Sequence, residues 1–406
     1  MMSTQSKKYD YINQVDYEAV AGPDWPSYEV FCQHKDVKNS VYDEIDSMLH
    51  RPRSFDHPSF CVVPFYSKEL AVQHDQRFVG HHDHVCGLMP VKSNVSLVRK
   101  AMLDGSRPSA CDACWNLENV GIHKSDRQIK NAWFDHFMNK NLSDVLEECN
   151  QGKNTTVFYK IDTSSTCNAT CVTCGPYNSS SWLQLLRKNK QSSPAKNWQI
   201  KPLVADQLID YRTTKGIILR GGEPLMSETN FHMLEQLVLA NNTDCYISLN
   251  TNGSITPTVD QEVILKHFKN LNFSFSIDGI GPVFEYLRYP LKWNKLEENI
   301  QWCRDRNIDV SVNCTVSNLS VFYLDQTIAW FDANHIPYRI APVQKPEWFS
   351  PKVLPYDIKK KINFAFEECN RLPDLLVQFR EKIAEQDSWK GINMRHYLPE
   401  LADLLG

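Results

Sequence analysis

A chain of 406 residues, 42% hydrophobic and 23% charged, is long enough for two or three domains with a sizeable core. Its formal net charge of -4 gives no electrostatic basis for binding nucleic acid, no run of about 18 apolar residues reads as a membrane span, and the polar start at 1–10 has no signal-peptide pattern. The 13 cysteines, odd in number and gathered in short loops, argue against a disulfide framework and for a reducing, cytoplasmic setting with no membrane partner.

Residues 1–58 read as an extension with little periodicity, interrupted by Pro23, Pro26, Pro52 and Pro58, with a short helix around 40–49. A unit at 59–150 follows. Cys61 lies in its opening apolar run, alternating stretches around 69–73 and 77–80 predict a β-hairpin, Cys86 closes it, and Cys111-Asp-Ala-Cys114 adds a C-x2-C pair. Four cysteines supplied as one, one and two suit a tetrahedral zinc or a fully ligated iron–sulfur cluster, and spacing alone does not separate the two. His81, His82 and His84 read as a polar loop, with His84 the substitute should one cysteine not serve. From 117 to 149 the chain turns polar and helical, with Trp133, Phe134 and Phe137 as its apolar stripe.

Between 151 and 345, strand-like runs alternate with helical segments six times. The strands fall at 157–162, 216–220, 244–249, 272–277, 309–315 and 337–341, with helices at 228–241, 292–307 and 323–334 among them. Repeated β-α units call for a parallel sheet with right-handed crossovers, whose ligands gather at the carboxyl ends of the strands. Four such ends carry distinctive sequence. After the first strand comes Cys167-Asn-Ala-Thr-Cys171-Val-Thr-Cys174, three cysteines in C-x3-C-x2-C spacing. They suit three irons of a cubane whose fourth iron has no protein ligand, with a zinc knuckle as the alternative. After the second strand comes Gly221-Gly222-Glu223-Pro224, where two glycines allow close approach to a bound molecule and a carboxylate is left at the strand mouth. Asn250-Thr251-Asn252-Gly253 follows the third, Ser276 and Asp278-Gly279 close the fourth, and Asn313 lies in the fifth. Each of these alone reads as a turn. Arg288 reads first as a salt-bridged helix residue, with a carboxylate-binding group as the alternative. The tail at 346–406 is helical, and the six cysteines outside these loops (Cys32, Cys149, Cys245, Cys303, Cys314, Cys369) read as free thiols.

The cysteine loop followed by the Gly-Gly-Glu-Pro turn resembles the radical S-adenosylmethionine enzymes. The resemblance implies an α/β fold, a partial (β/α)6 barrel, with Cys167, Cys171 and Cys174 holding a [4Fe–4S] cluster bound to S-adenosylmethionine. Gly221, Gly222 and Glu223 would contact the methionine amino group, Thr251, Asn252, Ser276, Asp278 and Asn313 the ribose and carboxylate, and Val343 the adenine. Thr173 stands where the family usually has an aromatic residue, so no adenine contact is implied there. The 59–150 segment is similar to the Twitch half of the SPASM auxiliary-cluster domain, although it precedes the barrel and its 75–77 turn lacks the usual glycine. That likeness implies a second, auxiliary [4Fe–4S] cluster on Cys61, Cys86, Cys111 and Cys114. The implied chemistry is reductive cleavage of S-adenosylmethionine and abstraction of a hydrogen atom by a 5′-deoxyadenosyl radical. The substrate would be a peptide or protein side chain, and the electron would come from a low-potential donor such as flavodoxin or ferredoxin. A radical dehydrogenase of a small carbohydrate or nucleotide, and a non-catalytic iron–sulfur binding protein, are the alternatives.

Overall fold

In a computed structural model the chain is described at residues 57–72, 78–82, 94–120 and 142–405, apart from 363 and 365–368, with scattered positions of 125–140 besides. Cys32, His84, Cys86, Trp133 and Phe137 lie outside the described residues.

One eight-stranded sheet organises the molecule, in the order β2-β1-β3-β4-β5-β6-β7-β8. The strands are β1 (Ser67–Val72), β2 (Phe78–His82), β3 (Phe158–Asp162), β4 (Gly216–Arg220), β5 (Tyr246–Thr251), β6 (Leu271–Ser276), β7 (Asp309–Val316) and β8 (Tyr338–Pro342). Seven of them, β1 and β3 to β8, run parallel and curl into a half-barrel, while β2 returns antiparallel along the outer side of β1. The six strands predicted from the sequence are all present. The seventh parallel strand is the first arm of the predicted hairpin, whose Lys68 pairs with Tyr159 of β3. His81 and His82 end β2 rather than lying in a loop.

Side chains alternate between the two faces of each strand, as a strand period of two requires. Ile217, Leu219, Ile247, Leu249, Phe273, Phe275, Val312 and Val316 are buried among the surrounding helices. These helices include α1 (Val95–Leu103), α2 (Asp112–Val120), α3 (Leu142–Asn150), α4 (Ser180–Lys188), α5 (Glu228–Leu239), α6 (Val259–Leu265), α7 (Pro282–Leu287), α8 (Trp293–Arg304), α9 (Leu324–Ala333) and α10 (Leu372–Lys390). On β5 to β7, residues of opposite parity are polar and bond across strands. Asn272 donates to Ser248 at 3.1 Å and to Ser311 at 3.0 Å, and Asn313 donates to Ser274 at 2.7 Å. The helix-facing side is therefore a conventional core, and across β5 to β7 the other side carries a ladder of hydrogen-bonded polar groups.

A second apolar cluster holds the segment before β1 together with α1 to α3. Phe60 stacks on Phe65 with ring centroids 5.1 Å apart, and Tyr66 packs on Phe134 at 4.6 Å.

Candidate functional site

The loop between β3 and α4 carries Cys167, Cys171 and Cys174, and nearly every turn of it is tied down. The Ser180 and Ser181 hydroxyls both donate to the Cys167 carbonyl, at 3.0 and 2.7 Å, and the Cys167 N–H donates back to Ser180 Oγ at 3.1 Å. Ser179, which caps α4, donates to Ala169 O at 2.6 Å, and the Trp182 indole donates to Cys171 O at 3.0 Å. From the other side, the N–H groups of Thr170 and Val172 reach the carbonyls of Tyr289 and Leu287 at 2.7 and 2.8 Å. The serine-rich start of α4 thus satisfies loop carbonyls while its own first turn is capped.

Cys167 is buried, and Cys171 and Cys174 are half-buried. Burial first, and then the neighbouring thiols, push Cys167 up to about 11 and Cys174 to about 12, and burial raises Cys171 as well. Binding a metal centre there must displace three protons. Among the described residues no three His, Cys, Asp or Glu side chains close round a point as the ligands of one metal ion do. A cubane takes its thiolates on separate irons, and three soft sulfur donors on one curl fit that group.

The turn after β4 lies directly against this loop. The Gly222 N–H donates to Ser164 O at 2.7 Å and the Glu223 N–H to Thr166 O at 2.8 Å. A Cβ on Gly222 would stand 2.1 Å from Thr166 O, and one on Gly221, whose φ is +121°, would stand 2.6 Å from Ser164 O. The glycines therefore permit close approach to the chain's own cysteine segment, a use that the sequence alone had assigned to a bound molecule.

Glu223 is fully buried. Its Oε1 accepts from Thr251 Oγ1 at 2.8 Å and Leu225 N at 3.2 Å, and its Oε2 from Asn252 N at 2.8 Å. Burial raises its pKa to about 7 in spite of these three bonds. Asn252 extends the network: its Nδ2 donates to Asn168 Oδ1 at 2.8 Å and lies 3.9 Å from Cys167 Sγ. Glu223, Thr251, Asn252 and Cys167 thus form one connected group across the ends of β3, β4 and β5.

The other expected residues take different places. Asp278 forms a buried ion pair with Arg288, Nη2 to Oδ2 at 2.8 Å, and its Oδ1 accepts from Thr315 N at 2.8 Å. Although burial works against its charge, Asp278 holds the Arg288 guanidinium firmly protonated, and both residues act electrostatically on Cys171. Ser276 is half-buried at the end of β6, opposite Asn313 in the register. Val343 is buried in the main core, its N–H bonded to Val316 O at 2.8 Å.

No protein-family model matches the chain, and no curated protein does. Among solved structures, anSMEcpe with bound AdoMet is similar at 17% identity and a TM-score of 0.38, over 58% of this chain and 62% of that one. SuiB of Streptococcus suis, bound to its precursor peptide SuiA, is similar at 11% identity and a TM-score of 0.37, over 77% of this chain and 69% of that one. The S-adenosylmethionine complex of SuiB gives 12% identity and a TM-score of 0.36, over 72% and 60%. The match thus spans about three-fifths of anSMEcpe.

Sequence reasoning expected a helical tail but missed what α10 braces. The side chain of Gln386 donates to Val172 O at 3.2 Å inside the cysteine loop, Tyr286 bonds Asp387 at 2.8 Å, and the Tyr289 hydroxyl reaches Lys390 O at 3.2 Å. The apolar pattern of this tail predicts its helix but not the element it braces. Also missed was Asp162 with Arg220, an ion pair at 3.0 Å joining the carboxyl ends of β3 and β4.

In the 59–150 segment, Cys61, Cys111 and Cys114 all belong to the second apolar cluster. The peptide around Cys61 is clamped by Asn131, which accepts from Val62 N at 2.9 Å and donates to Phe60 O at 2.8 Å. Arg127 donates to the carbonyls of His57 and Phe60, is paired with Glu118 at 2.8 Å, and lies over Trp115 at 5.1 Å. Three of the four expected ligands thus share one apolar cluster, and Cys86 lies beyond the described residues. Of the remaining cysteines, Cys149, Cys245, Cys303 and Cys314 are buried free thiols and Cys369 is half-buried. No helix among the described residues is long and apolar enough to cross a membrane.

Proposed function

We propose that the chain is a radical S-adenosylmethionine enzyme. The observation that carries this reading is the connected group at the strand ends, in which the C-x3-C-x2-C loop, the Gly-Gly-Glu turn and Thr251–Asn252 are joined by short hydrogen bonds. Cys167, Cys171 and Cys174 would hold a [4Fe–4S] cluster. Bound there, cluster and S-adenosylmethionine supply one-electron cleavage of the sulfonium and hydrogen-atom abstraction from a substrate C–H bond. The chain's part is to bind, orient and exclude water. The N–H groups of Gly222 and Glu223 are spent on the cysteine segment, so this turn offers an ammonium group carbonyl oxygens and a carboxylate. Thr251 and Asn252 hold that carboxylate in one orientation. The Arg288 guanidinium, paired with Asp278, would bind the cofactor's carboxylate. Ser276 and Asn313 would meet the ribose and Val343, through its backbone, the adenine.

We infer further that Cys61, Cys86, Cys111 and Cys114 hold an auxiliary [4Fe–4S] cluster, that the electron comes from a flavodoxin or ferredoxin, and that the substrate is a peptide or protein side chain. These readings rest on the resemblance of the motifs. The test is iron, acid-labile sulfide and zinc per chain after reconstitution without oxygen. About eight irons with matching sulfide supports both sites, and about four irons with one zinc reassigns the 59–150 cysteines to a structural metal. Zinc alone would overturn the reading.

A further inference from the structure

Helix α10 of the C-terminal tail ends against the cysteine loop, and its last residue is a buried lysine. The Lys390 side chain is only 7% exposed. Its Nζ donates to Gln386 Oε1 at 2.9 Å and lies 5.0 Å from the centroid of the Trp182 ring. Those two neighbours are the ones that grip the loop: Gln386 donates to Val172 O, and Trp182 to Cys171 O. The helix stops there because Gly391 takes the left-handed conformation at φ 68°, and Tyr289 bonds the Lys390 carbonyl, so the side chain is held at one depth. Burial lowers the Lys390 ammonium to about 8, against the pull of Cys171, Asp387 and Cys174, so at pH 7 the side chain stays mostly protonated. Asp387 is itself occupied by the Tyr286 hydroxyl and by Met394 N at 2.7 Å. Burying an ammonium group costs several kcal/mol in general, and surface packing alone gives no reason to place one here.

We propose that Lys390 is a positioning residue for the cluster on Cys167, Cys171 and Cys174, a buried side chain at the end of α10 whose positive charge at pH 7 favours the more negative, reduced state and so eases its one-electron reduction. The inference rests on the iron–sulfur reading of that loop. Gln386 and Trp182 hold the Lys390 Nζ against the loop, and the Arg288 charge, which also acts on Cys171, is offset by its Asp278 partner. Through an effective dielectric of about 20, a unit charge roughly 10 Å away changes the ratio of two charge states on the order of tenfold.

The experiment is a redox titration of the reconstituted chain followed by electron paramagnetic resonance, with iron and sulfide counted on the same samples. Variants are Lys390→Met, which keeps length and removes charge, and Lys390→Arg, which keeps charge. At a fixed ambient potential, K390M is expected to show a ratio of reduced to oxidised cluster about tenfold lower than wild type, a shift of about 59 mV for one electron, and K390R to restore it. Should K390M fail to hold the cluster while K390R holds it at the wild-type ratio, the cation is still the feature that matters. A K390M chain with full iron and an unchanged ratio overturns the inference, as does loss of the cluster in both variants, which would make Lys390 a packing residue. Absence of iron and sulfide from the wild-type chain overturns the cofactor reading and this inference with it.

Discussion

Replacing Gly222 by alanine places a methyl group in the tightest contact of the site. Its Cβ would stand 2.1 Å from Thr166 O and 2.9 Å from the Ser165 carbonyl carbon, and both neighbours are backbone. To reach 3.0 Å, the shortest separation that real Cβ atoms show, the turn and the loop must part by about 0.9 Å (3.0 minus 2.1). That movement carries Gly222 N to Ser164 O and Glu223 N to Thr166 O, now 2.7 and 2.8 Å, beyond hydrogen-bond length. Each lost bond is worth about 1 kcal/mol net, and the stranded buried groups add desolvation, for a total of about 3 to 4 kcal/mol. Gly175, just beyond Cys174, is the control: nothing lies within 4 Å of its Cβ position, and its φ is not in the left-handed range. Urea denaturation of the metal-free chain should show G222A destabilised by about 3 kcal/mol and G175A within about 0.5 kcal/mol of wild type. G222A should also bind less iron, since its loop is displaced. A G222A midpoint indistinguishable from that of wild type would refute the claim that this contact sets the loop.

Glu223 gives a pH signature. Burial raises its folded pKa to about 7 from the ordinary carboxyl value of 4.5, so its contribution is fully present below about 4.5 and is lost as pH rises through about 7. The metal-free chain should therefore lose up to about 3 kcal/mol between pH 4.5 and 8 from this group. Stability curves of E223Q should lack that slope, and a slope equal to that of wild type would assign it elsewhere. Asp278→Asn leaves Arg288 a buried cation with no carboxylate, while its amide oxygen can still accept from Thr315. A loss of about 3 to 5 kcal/mol is expected by denaturation, and a loss below about 1 kcal/mol would contradict a buried, coupled pair.

The barrel was legible because each β-α unit is written locally. Glu228–Leu239 follows the predicted helix closely, and the strand runs around Ile217, Ile247 and Phe273 mark buried strands. The seventh parallel strand was not legible, since Ser67–Val72 reads as one arm of a hairpin and its partner β3 lies far along the chain. The cysteine loop, Glu223, Thr251 and Asn252 were found by motif, and the structure joins them. The motif did not reveal that the glycines are needed for the chain's own backbone, because a tight turn and a ligand cradle use the same residue. Gln386 and Lys390 were invisible for the same reason as β1. A polar residue on a tail helix has no local sign that it faces a loop two hundred residues earlier, as Gln386 does Val172 with a separation of 214.

The central claim is that Cys167, Cys171 and Cys174 equip this chain to cleave S-adenosylmethionine. The direct measurement is 5′-deoxyadenosine released when the anaerobically reconstituted chain is reduced in the presence of S-adenosylmethionine, beside a variant with all three cysteines changed to alanine. The account predicts 5′-deoxyadenosine from the wild-type chain and none above background from the variant. A wild-type chain that carries its iron and sulfide, reduces fully and still forms none would contradict the account and leave an iron–sulfur binding protein in its place.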